Sequence, residues 1–500
     1  MSTPLPPSLD PNTPVIVGVG QHLNRDESSL LDPLALAVIA ARAAAEDCAS
    51  SSADSVLAGL DAVGVVPIVS WRYGDPGPQI AAALGATPSL TLYPSMGGNT
   101  PQMLMNRVCE RIAAGQLSSA LVCGAEAYRT RMRARKSDAP LPWERQDLEL
   151  QPGWTDGSAF DMAHQAELAL GVMMPTQTYP MFENALRHEA GRSADEHSAY
   201  IAGIWSRYSE VAAANPNAWD RTFYSPDEIA TVTASNRIVG FPYTKHMVSN
   251  PDVDMASAVI VCSVARATEL GVPRDRWVFP HSGADGKDRY LSTRASFTGS
   301  PAIRHAGRAA LDLAGVAIDD VAHLDVYSCF PSAVEIGCAE LGISTDRQLT
   351  VYGGLCFAGG PWNNPVGHAI AAMVDVLRSD PGSRGLVTAN GGNVQKHSFG
   401  VYSTEPPASG FRTANPQAEI DAVPPVDVAE GYEGPATIEA WTVMHDRDGS
   451  RGRAHATVRT PEGARAWAAT NDADVAEALE AADPTGWAVT IGPDADLRLG

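Results

Sequence analysis

The side chains best suited to chemistry are one thiol and two imidazoles, set beside three glycine-rich stretches. Cys329 stands in Tyr327-Ser-Cys-Phe330, His368 closes the frame Gly353–His368, and His397 follows Lys396 just after Ala389-Asn-Gly-Gly392. A thiol serves as nucleophile or general acid/base once its surroundings release the thiolate. An imidazole changes charge near neutral pH. The paired glycines of Ser95-Met-Gly-Gly-Asn99, Gly353-Gly-Leu-Cys-Phe-Ala-Gly-Gly-Pro361 and Ala389-Asn-Gly-Gly392 carry backbone amides able to hold a carbonyl oxygen. Each side chain also has a plainer reading: Cys329 as a small buried thiol after a strand, His368 as a cap or core residue, and His397 as a structural histidine. No cysteine stands between Cys48 and Cys109, and none follows Cys356.

Composition excludes several classes. A net charge of −22 disfavours nucleic acid, which is bound through basic patches. The one basic spot is Arg129, Arg131, Arg133, Arg135 and Lys136, either an anion contact or an exposed basic turn. Seven scattered cysteines argue against a disulfide framework, and none forms the Cys-x-x-Cys pair of a zinc site. No apolar run of about 18 residues is present. The start, Met1-Ser-Thr-Pro-Leu-Pro-Pro7, has no basic and apolar leader, so a cytoplasmic location is expected.

The elements that must position these groups alternate. Pro14–Gly20, Leu60–Val66, Leu90–Tyr93 and Ser119–Val122 read as strands; Asp32–Asp47 and Thr100–Ala114 read as helices. The order recurs later: helix Ile303–Ala314, strand Val321–Tyr327, helices Pro331–Leu341 and His368–Arg378, strand Gly385–Thr388. Such alternation predicts parallel sheets covered on both faces, and the repeat predicts two α/β halves whose glycine-rich strand ends converge on one pocket. Residues 1–128 and 251–275 form the first half and 276–405 the second. Residues 129–250, rich in Met, Trp, Tyr and Pro, form an inserted lobe with a helical stretch near Glu183–Ala213. Proline-rich residues 406–430 read as a semi-rigid linker. Residues 431–500, short strands with one helix, read as a small OB-like β-barrel. From Gly434 onward there are six arginines, no lysine and eleven acidic residues, so nucleic-acid binding by that barrel is not expected.

The duplicated halves and glycine frames of residues 12–405 resemble the thiolase superfamily, which handles acyl-CoA esters, nearest to the sterol-carrier-protein-type thiolases and acetyl-CoA-acetyltransferase-like proteins. The whole chain resembles thiolase-like proteins of type 1, which add a C-terminal domain. The resemblance implies a layered α-β-α-β-α thiolase fold. It also implies where that family keeps its chemical groups. The nucleophilic Cys of the Cys-x-Ser-Gly frame, counted back from Gly115 and Gly124-Ala-Glu126, falls on Gly98. Without a side chain there, covalent acyl transfer cannot begin. The sterol-carrier motif His-Asp-Cys-Phe becomes Tyr327-Ser-Cys-Phe330, which keeps Cys329 at an acid/base position; the His of Gly-His-Pro becomes Gly360; the Cys of Cys-x-Gly becomes Ala389. The resemblance implies coenzyme A as ligand or part of a substrate, with no other cofactor. The pantetheine arm would run toward Gly98, Gly360, Asn390, Gly391 and Gly392, and phosphate would meet Arg129 and Arg131.

The leading expectation is therefore a protein that binds CoA or acyl-CoA thioesters without thiolase turnover. Two alternatives stand beside it: an acyltransferase of altered chemistry using Cys329, His368 and His397, and a scaffold that docks partners through its C-terminal domain. Thiolases commonly dimerise through the strand matching Leu90–Tyr93. Pro94 cannot donate to a strand ladder, which leans the expectation toward a monomer.

Overall fold

A computed structural model describes residues 9–157 and 162–499. The amino-terminal stretch read for a leader, and residues 158–161 of the inserted lobe, lie outside the described residues. Two five-stranded sheets face each other across a pair of helices. In the first sheet the order is Pro14–Leu23, Asp254–Ser263, Ser119–Ala127, Ala62–Val65, Leu90–Leu92. In the second it is Arg412–Ala414, Phe279–Lys287, Lys396–Ser403, Gly385–Gly391, His323–Asp325.

Both sheets are mixed, which corrects the expectation of parallel ones. In each, a single strand opposes its neighbours: Asp254–Ser263 in the first, Lys396–Ser403 in the second. The reason is connectivity. A parallel neighbour needs a long crossover, whereas Lys396–Ser403 follows Gly385–Gly391 after only a short turn and can pair only as a hairpin. Asp254–Ser263 re-enters from the inserted lobe rather than from a crossover helix.

The helices Thr100–Ala113 and Pro365–Ser379 lie between the sheets and touch strands of both. Nine residues of the first and eleven of the second are buried, as a helix with sheet on two sides requires. Pro33–Asp47 covers the outer face of the first sheet, starting where the Asp32 side chain accepts from Ala35 N at 2.7 Å with Pro33 next in the chain. Pro301–Ala314 covers the second. The result is the layered α-β-α-β-α arrangement that the resemblance implied.

The inserted lobe holds two long helices, Pro175–Glu189 and Ala194–Ala214, where one helical stretch was expected. The chain breaks at Gly191, which takes a positive φ of 64°, and restarts on a Ser193–Glu196 capping box. The proline-rich segment is only partly a linker. Arg412–Ala414 extends the second sheet in parallel with Phe279–Lys287, and Gln417–Asp421 is helical.

In the C-terminal region the order is Arg465–Thr470, Arg451–Arg459, Gly434–His445, Ala488–Ile491, Leu497–Leu499. Ala469 and Asp496, near opposite edges, share one isolated bridge, so the ladders stop short of the closed barrel expected from the sequence. The unit has its own apolar core around Trp441, yet it is firmly docked. Fully buried Arg465 pairs with Glu439 and donates to the carbonyls of Leu291, Ser292 and Arg294 in the second half. Trp467 Nε1 donates to Ser292 Oγ at 2.9 Å. Among the described residues, no helix is long and apolar enough to cross a membrane.

Candidate functional site

The Ser95–Asn99 turn feeds the N-terminus of the inter-sheet helix Thr100–Ala113, the place where backbone N–H groups and the helix dipole favour a negative charge. Ser95 donates through N and Oγ to the Asp156 carboxylate, at 2.8 and 2.7 Å. Lys396 Nζ donates to Ser95 Oγ and to Met96 O, each at 3.2 Å. Gly97 N donates to Asn363 Oδ1 at 3.0 Å, and Asn363 in turn donates to Pro67 O at 2.9 Å. These bonds tie the turn to both halves.

Gly98 lies against Tyr327 and Asn390. A Cβ at Gly98 would collide with the Tyr327 hydroxyl and stand 2.5 Å from Asn390 O. A Cβ at Gly391 would collide with Asn99 Oδ1 and stand 2.9 Å from Gly97 Cα. Real Cβ atoms do not approach so closely, so the space that a nucleophile's side chain would need is filled. A small cavity of about 20 Å³ is lined by Tyr327, Ala389, Asn390 and His397 together with Ile303 and Leu341 of the covering helices. That is room for about one water.

Gly360 is closed in the same way. A Cβ there would collide with Ser249 Oγ, and its N–H donates to Asn250 O at 2.9 Å, so this amide already has a partner. Gly392 adopts φ 67°, a conformation glycine takes freely, and its carbonyl accepts from the Tyr179 hydroxyl at 2.9 Å.

Cys329 is buried beside this point. Asn390 Nδ2 approaches its Sγ at 3.9 Å, and burial pushes the thiol up to about 12. It is a protonated thiol at neutral pH, without the electropositive setting that activates a cysteine. Tyr179, from the inserted lobe, is the hub of the cluster: its hydroxyl receives Asn390 Nδ2 at 3.0 Å and Val394 N at 3.3 Å, and its ring stacks on Phe330 with centroids 4.5 Å apart.

His397 pairs across the strands with Asn390. Its ring borders the small cavity, Nε2 has no protein partner among the described residues, and burial pushes its pKa down to about 3. His368 belongs to a different neighbourhood. Its Nδ1 lies 2.8 Å from Gln21 Oε1 and its ring stacks on Tyr352, and burial holds it neutral with a pKa of about 3. Cys329 thus meets the Asn390 side chain, His397 is the strand partner of Asn390, and His368 lies apart among core groups.

The basic spot is a helix, Tyr128–Ser137. Arg129 is held between Glu27 at 2.9 Å and Asp252 at 3.0 Å, and Arg131 donates to Val69 O at 2.9 Å. Both guanidinium groups are engaged by the protein itself.

Below the helix start runs a buried polar chain. Asn99 Nδ2 donates to Ser398 Oγ at 3.4 Å, and Ser398 Oγ donates to Asp285 Oδ1 at 2.6 Å. Burial raises Asp285 to about 6 against the lowering effect of Ser398 and nearby Arg107. Sequence reasoning missed Asn99, Tyr179 and Asp285 and left Tyr327 without a role; only Tyr327 carried a signal, as the aromatic residue heading the Cys329 motif.

One cluster has metal-ligand chemistry: Glu183, His197 and Glu335, with ligand atoms within 4.8 Å of one another. Arg192 Nη1 can only donate, and it faces His197 Nδ1 at 3.3 Å. The imidazole proton is therefore on Nε2, 2.5 Å from Glu183 Oε1. That nitrogen offers a proton rather than a lone pair, and the cluster reads as buried carboxyls sharing protons.

Residues 416–496 match the additional C-terminal domain of thiolase-like protein type 1. No curated protein matches the chain. Among solved structures, the monomeric SCP2-thiolase-like protein type 1 from Mycobacterium smegmatis is 34% identical, with a TM-score of 0.84, over 98% of this chain and 100% of that one. The Ltp2-ChsH2(DUF35) aldolase is 19% identical with a TM-score of 0.59, over 79% of this chain and 99% of the other. Human mitochondrial 3-ketoacyl-CoA thiolase in complex with CoA is 17% identical with a TM-score of 0.54, again over 79% and 99%. The last two share the thiolase fold over about four fifths of this chain, 79% in each case. With identity at this level over the full length of both chains, and with the added C-terminal domain, the chain belongs to the SCP2-thiolase-like proteins of type 1.

Proposed function

We propose that this protein binds coenzyme A or an acyl-CoA thioester and does not form an acyl-enzyme. The observation that carries this reading is the pair Gly98 and Tyr327: where the family's nucleophile belongs there is no side chain, and a phenol oxygen occupies the space. The neighbouring thiol, Cys329, is buried and protonated, so it supplies no thiolate to take its place.

What the site offers a thioester is hydrogen bonding. Tyr327 would donate its hydroxyl to the thioester oxygen beside the N-terminus of Thr100–Ala113, with Asn390 alongside. Burial raises the Tyr327 hydroxyl well above its ordinary range, which keeps it a donor. Entry of the pantetheine arm requires Gly391 to separate from Gly97 and Asn99. The fold's record supports the ligand class, since the human thiolase of the same fold was solved with CoA.

Calorimetry with CoA and with acetoacetyl-CoA tests the reading. The native protein should bind, Gly391→Val should not, and neither should yield a covalent adduct by intact-mass measurement. Absence of binding by the native protein would overturn the assignment, and so would an acyl adduct on any cysteine.

A further inference from the structure

A second cavity, of about 450 Å³, lies between the inserted lobe and the C-terminal sheet. Its size falls in the range of about 300–1,000 Å³ typical of small-molecule sites. Leu170 and Met444 supply apolar wall; Gln177, Arg453, His455 and Asn471 supply polar wall.

The donors in this cavity are oriented. Gln177 Oε1 accepts from Met173 N at 3.0 Å and Met174 N at 2.9 Å, which leaves its Nε2 to donate to Gly171 O at 3.1 Å and to face His455 Nε2 at 3.5 Å. An amide nitrogen only donates, so His455 Nε2 accepts and the imidazole proton sits on Nδ1. His455 is 2% exposed, and its Nδ1 has no partner among the described residues. A buried donor left unpaired costs about 1–3 kcal/mol, so it calls for an acceptor.

Arg453 repeats the pattern. Its Nε is buried without a partner, and among the described residues no carboxylate lies within ion-pair distance of it. Its neighbour Arg451, by contrast, is held by Glu480 at 2.7 Å. Asp446 also lines the cavity and would repel a dianion more than a monoanion. The segment that contributes Leu170 also displays exposed Leu168, Met173 and Met174.

We propose that this cavity binds the carboxylate of a small organic acid, with Arg453 as counter-charge, His455 Nδ1–H as directing donor, and the acid's hydrocarbon part against Leu170 and Met444. Charge-assisted hydrogen bonds of this kind are about twice as strong as neutral ones. This site is separate from the one around Gly98, and its test uses no CoA.

The full-length protein is titrated by calorimetry with hexanoate, hexanol and inorganic phosphate, in a buffer free of carboxylate and phosphate. Hexanoate should saturate one site, hexanol should bind at least tenfold more weakly, and phosphate should bind less tightly than hexanoate. Arg453→Gln, at a partly exposed position, should weaken hexanoate at least tenfold. In the native protein, the His455 Nδ1–H proton resonance should shift on hexanoate addition, which removes dependence on any variant's folding. No saturable hexanoate binding, hexanol or phosphate binding as well as hexanoate, equal binding by Arg453→Gln, or an unmoved His455 resonance would each overturn the proposal.

Discussion

Restoring a side chain at Gly98 should damage the protein rather than revive a thiolase. The Cβ of Gly98→Ala would meet three obstacles: the Tyr327 hydroxyl in outright collision, Asn390 O at 2.5 Å and Tyr327 Cζ at 2.9 Å. Asn390 O is a backbone atom of a strand held in register with Lys396–Ser403, where Asn390 pairs with His397, and cannot retreat cheaply. Overpacking of this kind typically costs about 1–3 kcal/mol, and the upper half of that range is expected because a backbone atom is involved. Gly98→Cys should cost at least as much, and its thiol should stay slow to alkylate. Tyr327→Phe removes the hydroxyl collision but leaves the other two, so the Gly98→Ala/Tyr327→Phe double variant should recover part of the loss. A double-mutant cycle would then show a coupling energy of about 1 kcal/mol. Thermal unfolding at one fixed scan rate, compared across the four proteins, reads this out. A Gly98→Ala protein as stable as the native one, or a Gly98→Cys thiol as reactive as free cysteine, would refute the argument that Tyr327 fills the nucleophile's place.

Cys329, with its thiol pushed up to about 12, should react with iodoacetamide at pH 8 at least about a thousandfold more slowly than an exposed thiol, because so little thiolate is present; mass spectrometry of timed samples checks this, and full reactivity should appear only after denaturation. His368 and His397 are both held neutral, with folded pKa values of about 3 against about 6.5 unfolded. Their stabilisation is complete above pH 6.5 and is lost as pH falls below it, together about 2–3 kcal/mol between pH 7 and 5.5. Unfolding midpoints at both pH values should show His368→Gln losing about 1 kcal/mol less on acidification than the native protein. The outer edge of Leu90–Leu92 is occupied by the chain itself: Trp154 N donates to Thr91 O at 2.9 Å and Tyr93 N to Trp154 O at 3.1 Å. Light scattering should therefore return the mass of one chain, 52.7 kDa, whereas Trp154→Pro, lacking the donor, should populate a dimer.

Much of the layering was legible because alternating β-branched strands and capped helices leave periodic marks. The helices read as Asp32–Asp47 and Ile303–Ala314 begin at Pro33 and Pro301, one and two residues from the expected starts. Two of the three inner strands of the second sheet were not legible. Phe279–Lys287 and Lys396–Ser403 carry Asp285, His397 and Ser398 on buried faces, where polar residues are satisfied by one another and hide the apolar pattern. Strand direction was lost for a related reason: it depends on whether a hairpin or a crossover connects the strands, not on composition. At the site, counting frames located Gly98, Gly360 and Ala389, but the fact that Tyr327 reaches Gly98 is a distance across the fold that no local spacing encodes. Tyr179 was further out of reach, since its lobe carries no recognisable motif.

The self-covered edge at Trp154 has a consequence for how molecules of this protein influence one another. With Trp154 on that edge, no second copy is expected to pair there and carry the occupancy of one site to another. Binding should follow a simple hyperbola, and a non-binding variant mixed with native protein should neither weaken the native protein's binding nor be rescued by it.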